Sequence, residues 1–309
     1  MRRLIYSVLA IAAVAGLALG YGLYSMFLAD CPRSSQPDSI AATSSFSFDP
    51  GDIATKSKII VFVPGALNSI DIFSATKPLG EQGFALVYYR FPGMDGRPLD
   101  SIVSISGIAD EVIAFRNRYP DKEFHVVGFS IGGQVALEAA SRPDSRIGKV
   151  AVLGGTVGFP DTFGVGIRAL RWVLASAWTR STTDLAAVWR DFYKVLLFGE
   201  PGVSDPVLAK RADEIVAARR NRIVTPTRAL VCSHMRDITF RTAVSPDRVA
   251  TTPVLFLHGR LDVVSPSGRV AHYASGFKRA RFEALEHQGH QIFLTEPALF
   301  TKVGQFLAP

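Results

Sequence analysis

Residues 123–140 read Glu123-Phe124-His125-Val126-Val127-Gly128-Phe129-Ser130-Ile131-Gly132-Gly133-Gln134-Val135-Ala136-Leu137-Glu138-Ala139-Ala140. Phe124–Val127 is a short apolar run expected as a strand, and Ile131–Ala140 is expected as the helix that follows it. Between them, Gly128-Phe129-Ser130-Ile131-Gly132 matches G-x-S-x-G, which puts Ser130 on a tight strand-to-helix turn at the carboxyl edge of a sheet. Glycines two before and two after the serine let neighbouring backbone pass where a Cβ would clash, and Gly133 leaves room for close helix–sheet packing.

The flanking sequence has the alternation that such a turn requires. Ile59–Val63 is wholly apolar and β-branched, as in a strand buried on both faces, and Ala85–Tyr89 is a second strand. Ile102–Arg118 has helical spacing and is closed by Pro120, and Val150–Leu153 is another strand. From about 156 to 245 the spacing stays helical without a clear strand, for example at Leu185, Val188, Trp189, Phe192, Val195 and Leu196. Val254–Leu257 and Arg281–Leu285 then restore the strand pattern, and Ile292–Phe306 is expected as a single final amphipathic helix. This is the α/β class: a mostly parallel central sheet flanked by helices, with the core at 57–155 and 246–309 and a helical cap inserted at 156–245.

A serine hydroxyl is hardly ionised near neutral pH, so Ser130 needs a base, and the base needs a carboxylate to orient it. Val254–Leu257 leads into His258-Gly259-Arg260-Leu261-Asp262, and the next strand leads into Glu286-His287-Gln288-Gly289-His290. The order Ser130, Asp262, His290 is the one expected when these loops follow successive strands of one sheet. Between the two neighbouring histidines, His290 is favoured. His287 follows its strand almost at once, whereas His290 lies beyond Gly289, which permits unusual backbone angles, and before the anchoring run Ile292-Phe293-Leu294.

These residues resemble the α/β-hydrolase superfamily, in its serine-nucleophile branch with a helical cap. The resemblance covers about 58–155 and 246–309 and is carried by the Gly-Phe-Ser-Ile-Gly-Gly turn, the His-Gly-Arg-Leu-Asp turn and the late Gly-His pair. It implies Ser130 as nucleophile, Asp262 as acid, His290 as base, and the backbone N–H groups of Ala66 and Ile131 as oxyanion donors. Ala66 follows Pro64-Gly65, where the family often has His-Gly-X, so the hydrogen bond which that histidine would supply is missing here. The implied reaction is hydrolysis of a carboxylic ester or thioester through an acyl-enzyme, on a small, fairly apolar substrate. The same residues would also serve C–C hydrolysis, acyl transfer to an alcohol or perhydrolysis. A ligand-binding or scaffolding protein on this fold is the reading from another class. Trp172, Trp178, Trp189, Phe192 and Tyr193 would form either an apolar roof or the glue between cap and core. Aspartate-nucleophile relatives (dehalogenases and epoxide hydrolases) do not fit, because position 130 is serine.

Other chemistries find little support. The six histidines include no His-x-x-x-His pair, and Glu286, His287 and His290 fit a loop better than a metal site, so no metal is expected. No G-x-G-x-x-G occurs, so no dinucleotide cofactor is expected. His125 and His272 are expected as packing or surface residues. The formal charge of +7 is spread over 309 residues with no basic stripe interleaved with aromatics, which disfavours nucleic acid. Cys31 and Cys232 are too few for a disulfide framework; export would allow the two to pair, but Cys232 is expected as an unpaired small hydrophobe.

The N-terminus points to a membrane. Arg2-Arg3 precede an uncharged run from Leu4 to Ala29, long enough to span about 30 Å of hydrocarbon. Its length favours an uncleaved anchor over residues 1–30, with the arginines inside and the catalytic domain exported. Ala13-Val14-Ala15 and Ala18-Leu19-Gly20 offer cleavage patterns that would make the protein secreted or periplasmic. Leu28-Ala29-Asp30-Cys31 resembles a lipoprotein site apart from Asp30. Residues 31–56 read as a linker, with one short strand at Phe46 and Phe48.

Overall fold

The computed structural model describes Gly20, Cys31, residues 44–180 and residues 184–308. Among the described residues no helix is long and apolar enough to cross a membrane. The segment read as an anchor lies, apart from Gly20, outside them.

Seven strands form one sheet: β1 (Phe46–Phe48), β2 (Lys58–Val63), β3 (Phe84–Tyr89), β4 (Glu123–Phe129), β5 (Val150–Leu153), β6 (Val254–Gly259) and β7 (Ala280–Leu285). Their spatial order is β1-β3-β2-β4-β5-β6-β7, and only β1 runs antiparallel to its neighbour. The β-branched run of β2 explains its central place, since Ile59 through Val63 are all fully buried with helices on both faces.

The helices are α1 (Pro50–Thr55), α2 (Lys77–Glu81), α3 (Ile105–Asn117), α4 (Ile131–Ala140), α5 (Phe159–Arg180), α6 (Leu185–Phe198), α7 (Pro201–Ser204), α8 (Pro206–Ala218), α9 (Arg228–Phe240), α10 (Ser267–Ser275), α11 (Ile292–Thr295) and α12 (Leu299–Leu307). Helices α5 to α9 all lie between β5 and β6, where the strand pattern lapses. Gln134 of α4 fastens both ends of this insertion. Its Nε2 donates to Thr156 C=O at 2.7 Å, and its Oε1 accepts from Val244 N–H at 3.0 Å.

Three expectations need correction. The final helix is broken into α11 and α12, because Pro297 between them has no N–H to donate and restricts the residue before it. The stretch read as a linker belongs to the fold from residue 46. Strand β1 pairs with β3, and Asp49 caps α1 by accepting from Gly51 N–H at 2.8 Å. Cys232 is not free: it forms a disulfide with Cys31, 201 positions away, with the Cα atoms 5.5 Å apart. A sulfur so bonded carries no thioether lipid. The pairing, open from the sequence only as a consequence of export, has no spacing in two cysteines this far apart to favour it.

His125 sits fully buried in β4, its ring edge-on to Phe84 at 5.9 Å. Burial pulls its pKa down to about 4, with Glu123 opposing the shift and Lys149 and Lys58 adding to it. The folded chain therefore holds this ring neutral while the unfolded chain protonates it below about pH 6.5. The stability it contributes is complete above that pH and is lost as pH falls towards 4. Urea unfolding at pH 4.5 should give a stability lower than at pH 7 by on the order of 2 kcal/mol from this residue. In His125→Phe the loss between the two pH values should shrink by that amount; an unchanged loss would show that His125 does not carry it.

Candidate active site

The site lies at the carboxyl ends of β4, β6 and β7. At the end of β4 the chain turns so sharply into α4 that Ser130 takes φ +53° and ψ −118°, a region that residues with a side chain rarely occupy. Two glycines make the turn possible. A Cβ on Gly128 would lie 2.0 Å from Gly132 C=O, and one on Gly132 would lie 2.2 Å from Val63 C=O in β2. Ser130 N–H donates to Leu153 C=O at 2.9 Å, which ties the turn to β5.

Ser130, Asp262 and His290 come together although far apart in sequence. His290 Nε2 is 3.1 Å from Ser130 Oγ, and His290 Nδ1 is 2.8 Å from Asp262 Oδ2. An ionised carboxylate only accepts, so Nδ1 carries the proton and Nε2 faces the serine as an acceptor. All three residues are buried. His287 is exposed, with φ +57°, and is turned away from this group.

The loop that carries His290 is held by the cap. The last carbonyls of a helix lack partners within it. Those of Leu196 and Leu197 in α6 accept from Gln291 N–H at 2.9 Å and Gly289 N–H at 2.7 Å. This corrects the reason for Gly289. The left-handed residue of the loop is His287, and Gly289 is needed because a Cβ there would lie 2.6 Å from Leu196 C=O. The Phe129 ring packs on His290 at 5.0 Å and on Phe293 at 4.8 Å.

Asp262 is held from three sides. Its Oδ1 accepts from Val264 N–H at 2.7 Å and Ser265 N–H at 3.0 Å. His258, at the end of β6 and fully buried, has Nε2 2.8 Å from Ser265 C=O and 3.2 Å from Asp262 Oδ2. The carbonyl only accepts, so the proton is on His258 Nε2 and is donated to Ser265 C=O. Burial alone would push the Asp262 carboxyl up. His290, His258 and the Ser265 N–H favour the carboxylate more strongly, and its pKa lies below the usual range. Burial holds His258 down and therefore neutral. Beyond it, Asp161 in the first turn of α5 accepts from Ser265 Oγ and from Arg269 Nη1 at 2.8 Å, linking cap to acid loop. Sequence reasoning missed Asp161 and the support given by His258, because no local spacing announces either contact.

Ala66 and Ile131, read as oxyanion donors, flank the serine. Ile131 follows it in the chain, and Gly65 is so close that an added Cβ would lie 3.0 Å from Ser130 Cβ. The cap aromatics pack among themselves. Phe192 lies 5.6 Å from Trp189 and 6.2 Å from Trp172, in a cluster that includes Val263 beside Asp262 and Leu294 beyond His290. That is the glue reading; the side chain of Trp178 lies outside the described residues. Among the described residues no cluster suited to a metal ion occurs.

Comparison with known proteins gives this arrangement a family. A sequence model described as "Alpha/beta hydrolase family" matches residues 60–303. A pimeloyl-[acyl-carrier protein] methyl ester esterase of Nitrosomonas europaea is 27% identical over 223 residues, 71% of this chain and 83% of that protein. Among solved structures, the enol-lactonase of Burkholderia xenovorans superposes with a TM-score of 0.66 at 17% identity, covering 88% of this chain and 99% of that one. A thermophilic esterase of Thermogutta terrifontis gives 0.63 at 15% identity, covering 85% and 92%. With its sheet order, its serine turn and a family match over most of its length, the chain belongs to the alpha/beta hydrolase family of enzymes.

Proposed function

We propose that this protein hydrolyses a carboxylic ester or thioester in a fairly apolar small-molecule substrate, with Ser130 as nucleophile, His290 as base and Asp262 as its orienting acid. The observation that carries the reading is the continuous hydrogen-bonded line from Ser130 Oγ through both nitrogens of His290 to a carboxylate held ionised. Similarity to an esterase of 27% identity supports ester chemistry in general.

In the proposed reaction Ser130 Oγ attacks the ester carbonyl while His290 Nε2 takes its proton. The imidazolium so formed is stabilised by Asp262, which keeps its negative charge. The N–H groups of Ile131 and Ala66 donate to the oxyanion of the tetrahedral intermediate, and each such donor is typically worth about 2.7–4 kcal/mol. His290 then gives its proton to the leaving alcohol or thiol, and an acyl-Ser130 remains. Water, deprotonated by the same imidazole, releases the acid.

We also propose that the catalytic domain works on the exported side of a membrane, with residues 1–30 as anchor or cleaved signal. The long apolar run after Arg2-Arg3 and the Cys31–Cys232 disulfide both favour this, since disulfides persist in oxidising compartments. Intact-mass measurement should find the bond formed, on a full-length chain for an anchor or on one starting near Gly16 or Tyr21 for a cleaved signal. Recovery of the native protein from the cytosol with both thiols reduced would contradict this location.

Ser130→Ala should abolish turnover of a p-nitrophenyl ester without unfolding the protein. His290→Ala should lower kcat by about 10³-fold or more, and His287→Ala by far less. Undiminished turnover by folded Ser130→Ala, or a larger loss at His287 than at His290, would refute the assignment. Gly289→Ala should push the base loop off the end of α6 and lower kcat by about 10²-fold, as a shift of roughly 1 Å at a catalytic group does. Wild-type activity in that variant would show that the cap does not hold the base.

A further inference from the structure

His234, like His125, is a buried histidine outside the reaction just described. His234 lies in α9 and is fully buried. Its Nδ1 is 3.1 Å from the backbone N of Leu67, and its Nε2 is 2.8 Å from Pro92 C=O. An amide N–H only donates and a carbonyl only accepts. The ring is therefore neutral with its proton on Nε2, donating to Pro92 and accepting from Leu67. Burial, against the opposing pull of Pro92, keeps it neutral by lowering its pKa.

Leu67 is no ordinary partner. It has φ +60°, a left-handed conformation that strains a residue with a side chain. It follows Ala66 in a turn closed by the bond from Asn68 N–H to Gly65 C=O at 3.2 Å. The peptide unit joining Ala66 to Leu67 is pinned at both ends. Its C=O accepts from Asn68 Nδ2 at 2.8 Å, and its N–H donates to His234. Without the histidine acceptor, an unsatisfied donor would sit in a strained turn, and flipping this peptide would relieve both. The flip would disturb the turn that presents Ala66 N–H beside Ser130.

The helix carrying His234 is itself firmly placed. Two residues earlier, Cys232 is bonded to Cys31. Ser233 Oγ donates to Ser101 C=O at 2.8 Å, and Ser233 C=O accepts from Val103 N–H at 3.0 Å. The Phe91 ring meets the imidazole edge-on at 5.4 Å. The acceptor for the Leu67 N–H thus arrives from the cap, 167 positions away.

We propose that His234 is a positioning residue for the oxyanion loop: by accepting the Leu67 N–H it holds the 65–68 turn so that Ala66 N–H stays aimed at the developing oxyanion. The inference rests on the serine-hydrolase reading above. Two near-isosteric variants separate its two bonds. In His234→Asn the side-chain Oδ1 stands near the Nδ1 position and still accepts from Leu67. In His234→Gln the amide reaches Pro92 and leaves Leu67 unpartnered.

On p-nitrophenyl butyrate, His234→Gln in the full chain should lower kcat by about 10²-fold with KM changed less than about twofold, the pattern of a lost transition-state interaction. His234→Asn should stay within about fivefold of wild type, with thermal unfolding tracking both variants. Equal losses of kcat in the two would show a packing role and overturn the proposal, as would a KM effect with kcat unchanged. Nitrogen-15 shifts of the wild-type ring need no variant to fold: they should report a bare Nδ1 and a protonated Nε2, and the opposite tautomer overturns the proposal. Turnover surviving in Ser130→Ala would remove the serine reading and this inference with it. An inactive Ser130→Ala beside a fully active His234→Gln would remove this inference alone.

Discussion

The turn at Ser130 is the constraint from which the rest of the site follows. A strand in the middle of a parallel sheet passes directly into a helix, and the serine between them is held in a backbone conformation that costs of order 1–3 kcal/mol. The strain persists because the surroundings leave no alternative. Gly132 presses on β2, Gly128 on Gly132, and Ser130 N–H is bonded to β5. The hydroxyl is thereby fixed at the carboxyl edge of the sheet. His290 and Asp262 come from the loops after β7 and β6, the two strands that complete the sheet on the β5 side.

The inserted helices do more than cover this edge. The loop with His290 hangs on the carbonyls of Leu196 and Leu197, the loop with Asp262 is tied through Ser265 to Asp161, and the loop with Ala66 is tied through Leu67 to His234. Each of the three loops that meet at Ser130 is thus bonded to a cap helix, the His290 loop twice. Gln134, one turn from Ser130, closes the insertion at both ends. Cap and site are mechanically one unit, which is why the cap aromatics lie in a cluster with Val263 and Leu294 instead of standing apart as a roof.

What could be read from the sequence was what leaves a local pattern. Strand β2 announces itself because burial on both faces selects an unbroken apolar run, mostly of β-branched residues. The serine turn is legible because its glycines are dictated by contacts within a few residues. His290 could be separated from His287 by its place after Gly289, although the stated reason was wrong: the demand there is for space against Leu196, and the left-handed angle falls at His287. What stayed hidden lies between distant segments. The bracing of Asp262 by His258 and Asp161 and the grip of His234 on Leu67 join residues or backbone atoms whose partners no periodicity marks, and nothing local favours the Cys31–Cys232 bond over a free thiol. The break at Pro297 was legible in principle, and the strong apolar stripe of Ile292–Phe306 obscured it.

The account stands or falls on a covalent acyl-Ser130. Quenching the protein in acid during steady turnover of an ester and mapping its peptides by mass spectrometry reads this directly. The mass of the acyl group should appear on the peptide containing Ser130 and vanish in Ser130→Ala. An adduct on another residue would contradict the account. So would steady turnover with no adduct at Ser130 while a fluorophosphonate also leaves that residue unlabelled.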